Sequence, residues 1–67
     1  MKKYLARAKR MVDDETVYLN DGVPSTDRDL AKVGTYEEID RIADIFRSIW
    51  DVEICEVVGD ELVVVKP

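Results

Sequence analysis

The stretch TYEEIDRIADIFRSIWD, residues 35–51, leaves the chain the least choice of structure. At about 100° per residue, Ile39, Ile42, Ala43, Phe46, Ile49 and Trp50 fall within one arc, with Ile45 at its margin. Glu37, Asp40, Asp44, Arg47, Ser48 and Asp51 occupy the opposite side. Thr35 followed three residues later by Glu38 is a capping box, and Glu37 with Glu38 complements the positive end of the helix dipole. The spacing predicts one amphipathic helix near residues 36–50, with Ile39, Ile42, Phe46 and Ile49 buried. It also predicts pairing of Arg41 with Glu37 and of Arg47 with Asp51, four residues apart.

A helix with one apolar face needs something to cover it, and the flanking segments read as strands. TVYL, residues 16–19, is rich in β-formers and stops at Asn20-Asp21-Gly22. Residues 2–12, KKYLARAKRMV, fit both a helical and an alternating pattern. The need of residues 16–19 for a partner favours a hairpin turning at Asp13-Asp14. Pro24 and Gly22 punctuate the connection that follows, where Thr26 with Asp29 can cap a short turn through Leu30. Gly34 suits a left-handed or tight position before the main helix. Beyond the helix, Val52–Val58 and Glu61–Lys66 flank Gly59-Asp60 as a second hairpin. Glu53 and Glu56, three apart, break strict alternation, which predicts a bulge or a strand whose far end leaves the core. Lys66 and Pro67 would discourage edge-to-edge growth of the last strand. The expectation is one α+β domain over residues 1–67, a small antiparallel sheet in ββαββ order with one helix across one face.

Composition narrows the chemistry. The 67 residues contain no histidine, so the commonest general base, the commonest metal ligand and the serine–histidine and cysteine–histidine pairs are all missing. The single cysteine, Cys55, lies in an apolar strand with nothing nearby in sequence to activate it. Three glycines at 22, 34 and 59 make no phosphate-cradling loop. Asp13-Asp14-Glu15 and Asp27/Asp29 lack the spacing of a calcium loop and read as turn and capping residues. No enzyme, cofactor or metal is expected. No apolar run approaches the length of a membrane span, and Lys2-Lys3 is not followed by a signal-peptide core, so a cytoplasmic protein is expected.

Charge is divided unevenly. Lys2, Lys3, Arg7, Lys9 and Arg10 give the first twelve residues +5, and the remainder of the chain carries −10, for the net −5. An acidic domain is a poor match for nucleic-acid phosphates and a better one for a basic protein surface.

The order KKYLARAK, TVYLNDG, then TDRDLAKVGTYEEIDRIADIF and a closing β segment resembles small uncharacterised phage and prophage proteins of Gram-positive bacteria. In these a Thr-Asp turn, an "AK" step and a TYEEA-like helix start recur in that order. Gly34 departs from the pattern, standing where an aromatic is usual, and the C-terminal hairpin is longer. The resemblance implies an accessory protein that acts by binding, against a host enzyme or defence system in the host cytoplasm.

Together these readings favour a non-catalytic binding module that docks an acidic surface on a basic site of a larger protein. Glu37, Asp40, Asp44 and Asp51 are its candidate contacts. Trp50 is either an interface anchor or the residue that closes the core. Two alternatives stand beside it. One is a nucleic-acid-binding regulator using residues 2–10, with Tyr4 and Tyr18 as stacking groups. The other is a self-assembling protein that forms a homodimer through a Val-rich edge.

Overall fold

The computed structural model describes residues 1–65, and the expected guard residues Lys66 and Pro67 lie outside them. Strand β1 (Lys3–Lys9) turns back into β2 (Thr16–Tyr18), and a short 3-10 turn (Arg28–Leu30) interrupts the connection to α1 (Tyr36–Phe46). Strands β3 (Asp51–Val58) and β4 (Glu61–Val64) complete the chain. All pairings are antiparallel, in the order β2-β1-β3-β4, and α1 lies over β1 and β3. The expected α+β architecture is the observed one.

Local chemistry explains each element. Residues 3–9 are a central strand because their alternation puts Ala6 and Ala8 under the helix while Leu5 points to the other face. All three are buried. The β1–β2 turn closes through Arg10, whose N–H donates to the Glu15 carbonyl and whose carbonyl accepts from Asp14 N–H. Asp14 takes the left-handed conformation, φ 62°, which aspartate tolerates better than most residues. At the second hairpin Gly59 has φ 60° and Asp60 stays out of the left-handed region, as a type II′ turn requires.

The main core joins Ala6, Leu19, Ile39, Ala43 and Ile54, with Tyr4, Ile42, Phe46, Trp50 and Val52 packed against it and half-buried. On the opposite face Leu5 and Cys55, register partners, are also buried. Of the nine buried apolar residues among those described, three are alanines, so the core is thin for a domain of this size.

The helix is shorter than its periodicity predicts. It stops at Phe46, and the Phe46 carbonyl accepts from both Ile49 N–H and Trp50 N–H, which turns the chain sharply. Pairing of residues 51–57 along the whole of β1 begins at Asp51 and takes those residues out of the helical path. Ile49, expected in the core, is therefore 55% exposed. The capping box is present as expected: Thr35 Oγ1 accepts from Glu38 N–H at 3.3 Å, and Thr35 N–H donates to Glu38 Oε1 at 3.3 Å.

Two smaller expectations shift. The 3-10 turn is capped by Asp27, whose carboxylate accepts from Asp29 N–H at 2.9 Å, rather than by Thr26. The register of β1 with β3 is continuous, so Glu53 and Glu56 create no bulge. They point to opposite faces, Glu53 toward Arg7 and Glu56 to the helix side between Tyr4 and Val63. Gly34 is tight rather than left-handed: a Cβ there would lie 3.2 Å from a Glu38 carboxylate oxygen, which would have to shift by a few tenths of an ångström. Its amide and carbonyl both bond Tyr4, so the chain leaves β1 no free edge before α1 begins.

Candidate interaction surface

Three of the predicted contact residues share one exposed helix face. Glu37, Asp40 and Asp44, with Arg41, border a shallow hollow of about 350 Å³. The predicted ion pairs are replaced by another set. Arg47 Nη2 donates to Asp40 Oδ1 at 2.7 Å and Nη1 to Asp44 Oδ1 at 3.2 Å. Because α1 ends at Phe46, Asp51 is not one turn beyond Arg47, and Asp44 and Asp40, on the same face one and two turns back, take the guanidinium instead. The hydrogen bond to Asp40, opposed by slight burial and supported by Asp44, holds Arg47 above its ordinary pKa. Arg47 thus offsets part of the negative charge that the sequence places on this side. Among the described residues, no ion pair joins Arg41 to Glu37.

Asp51 and Trp50 belong to another place. Asp51 opens β3 as the partner of Lys9, on the sheet face away from α1. There it borders a hollow of about 470 Å³ with Arg7, Ala8, Lys9, Thr16 and Glu53. Trp50 is half-buried, its ring stacked on Phe46 with centroids 5.4 Å apart and planes 7° from parallel. It packs against the core and helps to close it.

The pairing of Lys9 with Asp51 brings the β1–β2 turn and the α1–β3 turn to the same end of the sheet. At this end stand four apolar side chains that the fold leaves uncovered: Met11 (80% exposed), Val12 (97%), Ile45 and Ile49. Carboxylates accompany them. Asp13 is held by Arg10 through two hydrogen bonds and accepts from Glu15 N–H, and these bonds depress its pKa below the usual carboxylate range. Asp14, Glu15, Asp44 and Asp51 are exposed nearby along the chain. Met11, Val12 and Ile49 were missed as contact candidates. The adjacency of Met11 and Val12 between charged residues was a usable signal, whereas Ile49 looked like core because the helix looked longer.

The basic N-terminal segment is largely matched by acids. Arg7 bonds Glu53 and Arg10 bonds Asp13, while Lys9 faces Asp51 across the ladder. Tyr4 packs edge-on against Tyr36 on the helix side, centroids 5.4 Å apart, while Lys3, Arg7 and Lys9 alternate to the other face. Tyr18, the register partner of Arg7, lies on that basic face, so of the two expected stacking groups, Tyr4 and Tyr18, one stands with the bases and the other does not.

Cys55 is fully buried, and burial pushes its thiol pKa up, which disfavours the thiolate. Among the described residues no group of His, Cys, Asp or Glu side chains converges to hold a metal ion. No described helix is long and apolar enough to cross a membrane. No protein-family model matches the chain, and neither does any curated protein or solved structure.

Proposed function

We propose that the chain is a non-catalytic protein-binding module that docks an acidic, partly apolar surface on a basic site of a larger protein. The observation that carries this reading is the end of the sheet where Met11, Val12, Ile45 and Ile49 stand uncovered, with the exposed carboxylates of Asp13, Asp14 and Asp44 adjoining them in the chain. Apolar groups supply contact area, and a carboxylate rim steers toward lysine and arginine and rejects acidic partners. The helix face of Glu37, Asp40 and Asp44 extends the rim, weakened by Arg47. The likeness to small phage and prophage proteins supports the more specific form of the proposal, an inhibitor or modulator of a host protein.

Capture of partners from lysate, with and without nuclease and over a salt series, tests it. The expected result is a protein partner that survives nuclease and is released as ionic strength rises. Met11→Ser/Val12→Ser should weaken capture by shedding apolar contact without changing the fold. A partner lost on nuclease treatment would favour the nucleic-acid reading, and salt-independent capture unaffected by the double change would remove this surface from the account.

A further inference from the structure

Among the described residues, strand β4 is the sheet's unpaired edge. Val65 N–H donates to the Ile54 carbonyl at 2.8 Å, so in this ladder residues 61, 63 and 65 aim their backbone groups at β3. By alternation the N–H and C=O of Leu62 and Val64 point outward. Val63 and Val64 are 48% and 38% exposed, and α1 does not reach over this strand. Beside it, between the strand and the helix, runs a groove of about 280 Å³ bordered by Tyr36, Arg47, Ile54 and Val65 among others.

We infer that the β4 edge is a homodimer seam, filled by β4 of a second copy running antiparallel about a two-fold axis normal to the sheet. Several features select a second copy as the occupant. Such an axis keeps each face of the sheet on its own side, so residues across the seam must have the same facing. Val63 then meets Val63, and Leu62 meets Val64. In that register the outward N–H and C=O of Leu62 meet those of Val64 in the other copy, and the edge's free backbone groups satisfy one another. The centre of the seam carries no charge, which suits an apolar strand such as this one better than a basic segment. The two Glu61 side chains fall at opposite ends, which keeps like charges apart. The thin core also leaves the monomer with apolar surface that strand addition would cover.

The symmetry has a consequence for docking. Both helices of the dimer lie on the same side of a continuous eight-stranded sheet, so two acidic surfaces face one way. If the docking reading above is correct, binding is bivalent. The dimer itself does not depend on that reading.

Sedimentation equilibrium over a dilution series tests the seam without any partner. The expected result is a concentration-dependent species of twice the 7.7 kDa chain mass. Val64→Pro removes an outward N–H and leaves the ladder to β3 intact, so it should give a folded monomer. Should that variant fold poorly, Val63→Lys serves the same purpose. It places two lysines across the axis at a half-exposed position and should raise the dimer dissociation constant by about tenfold or more. A wild type that stays monomeric at every concentration would overturn the proposal. So would a dimer that persists unchanged in a folded variant of either kind. Loss of the dimer with retained partner capture would leave the docking reading standing and confine the change to avidity.

Discussion

The two edges of the sheet are built in opposite ways. At the β2 edge the chain closes on itself. Tyr18 exchanges both backbone hydrogen bonds with Ser25, at 2.7 and 3.1 Å, and the Leu19 carbonyl accepts from Lys32 N–H. Asn20 pins the same connection, donating to the carbonyls of Val23 and Leu30 and accepting from Gly22 N–H. Gly34 then seals the rest of β1. At the β4 edge, among the described residues, nothing comparable lies alongside Leu62 and Val64. An exposed β-branched edge invites pairing, and proteins commonly blunt such edges. One edge here is closed by its own chain, and the other is left unpaired among the described residues.

That contrast can be broken most severely from the closed side. Leu19 is 1% exposed and belongs to the main core, so Leu19→Ala should cost about 3 kcal/mol, a large fraction of the stability of so small a domain. A urea midpoint shift equivalent to less than about 1 kcal/mol would mean that the β2 side does not hold the fold. Next in size is the backbone itself. Ser25→Pro deletes the N–H that donates to Tyr18 and should cost about 1–2 kcal/mol, whereas Val64→Pro should cost under about 1 kcal/mol. Equal costs in the two variants would erase the distinction between the edges.

Much of this arrangement was legible in the residues, for physical reasons that are local. The capping box of Thr35 with Glu38 and the turn residues Asp13-Asp14 and Gly59-Asp60 each act within a few positions, whereas residues 2–12 fit helix and strand alike and are assigned by the need of residues 16–19 for a partner. They gave the right elements in the right order. What escaped depends on pairing between distant segments. Ile49 has the helical phase of a core residue, but β3 begins two residues later because Asp51 pairs with Lys9, and the helix cannot continue. The same event separates Asp51 and Trp50 from Glu37, Asp40 and Asp44, which the sequence had joined in one contact face. The closure of the β2 edge by Ser25 and Lys32 was equally out of reach, since nothing in PSTDRDLAK announces a backbone pairing. An edge is defined by what fails to pair with it, and only the assembled sheet shows that.

Charge provides smaller tests on the helix face between the edges. Asp40→Asn/Asp44→Asn removes two exposed carboxylates that hold Arg47, and stability should change by only a few tenths of a kcal/mol. If this face takes part in docking, the same double change should slow partner association several-fold at low salt. Unchanged association rates would return the face to solubility alone.

The pH dependence should have two limbs of opposite sign. The Thr35 backbone N–H, and after it the Thr35 hydroxyl, holds the Glu38 carboxyl below its ordinary value. A depressed carboxyl contributes stability that is present above the usual carboxylate range and lost as pH falls through the lowered value, so Glu38→Gln should flatten the acid limb and Thr35→Ala, which keeps the backbone N–H, should do so only in part. Cys55 works at the other end. Its raised thiol pKa means that the unfolded chain ionises first, so stability should decline as pH rises past the ordinary thiol value, and Cys55→Val should remove that decline. Monitoring thermal unfolding across pH separates the two limbs.

The central claim, that one edge is closed by its own chain and the other stays open for a second copy, is tested most directly by amide hydrogen exchange resolved by residue. In dilute protein the Tyr18 and Ser25 amides should be protected and the Val64 amide should exchange freely. As concentration rises, protection should appear at Leu62 and Val64 and remain unchanged at Tyr18. A Val64 amide protected equally at all dilutions, or a Tyr18 amide exchanging as fast as Val64, would contradict the account.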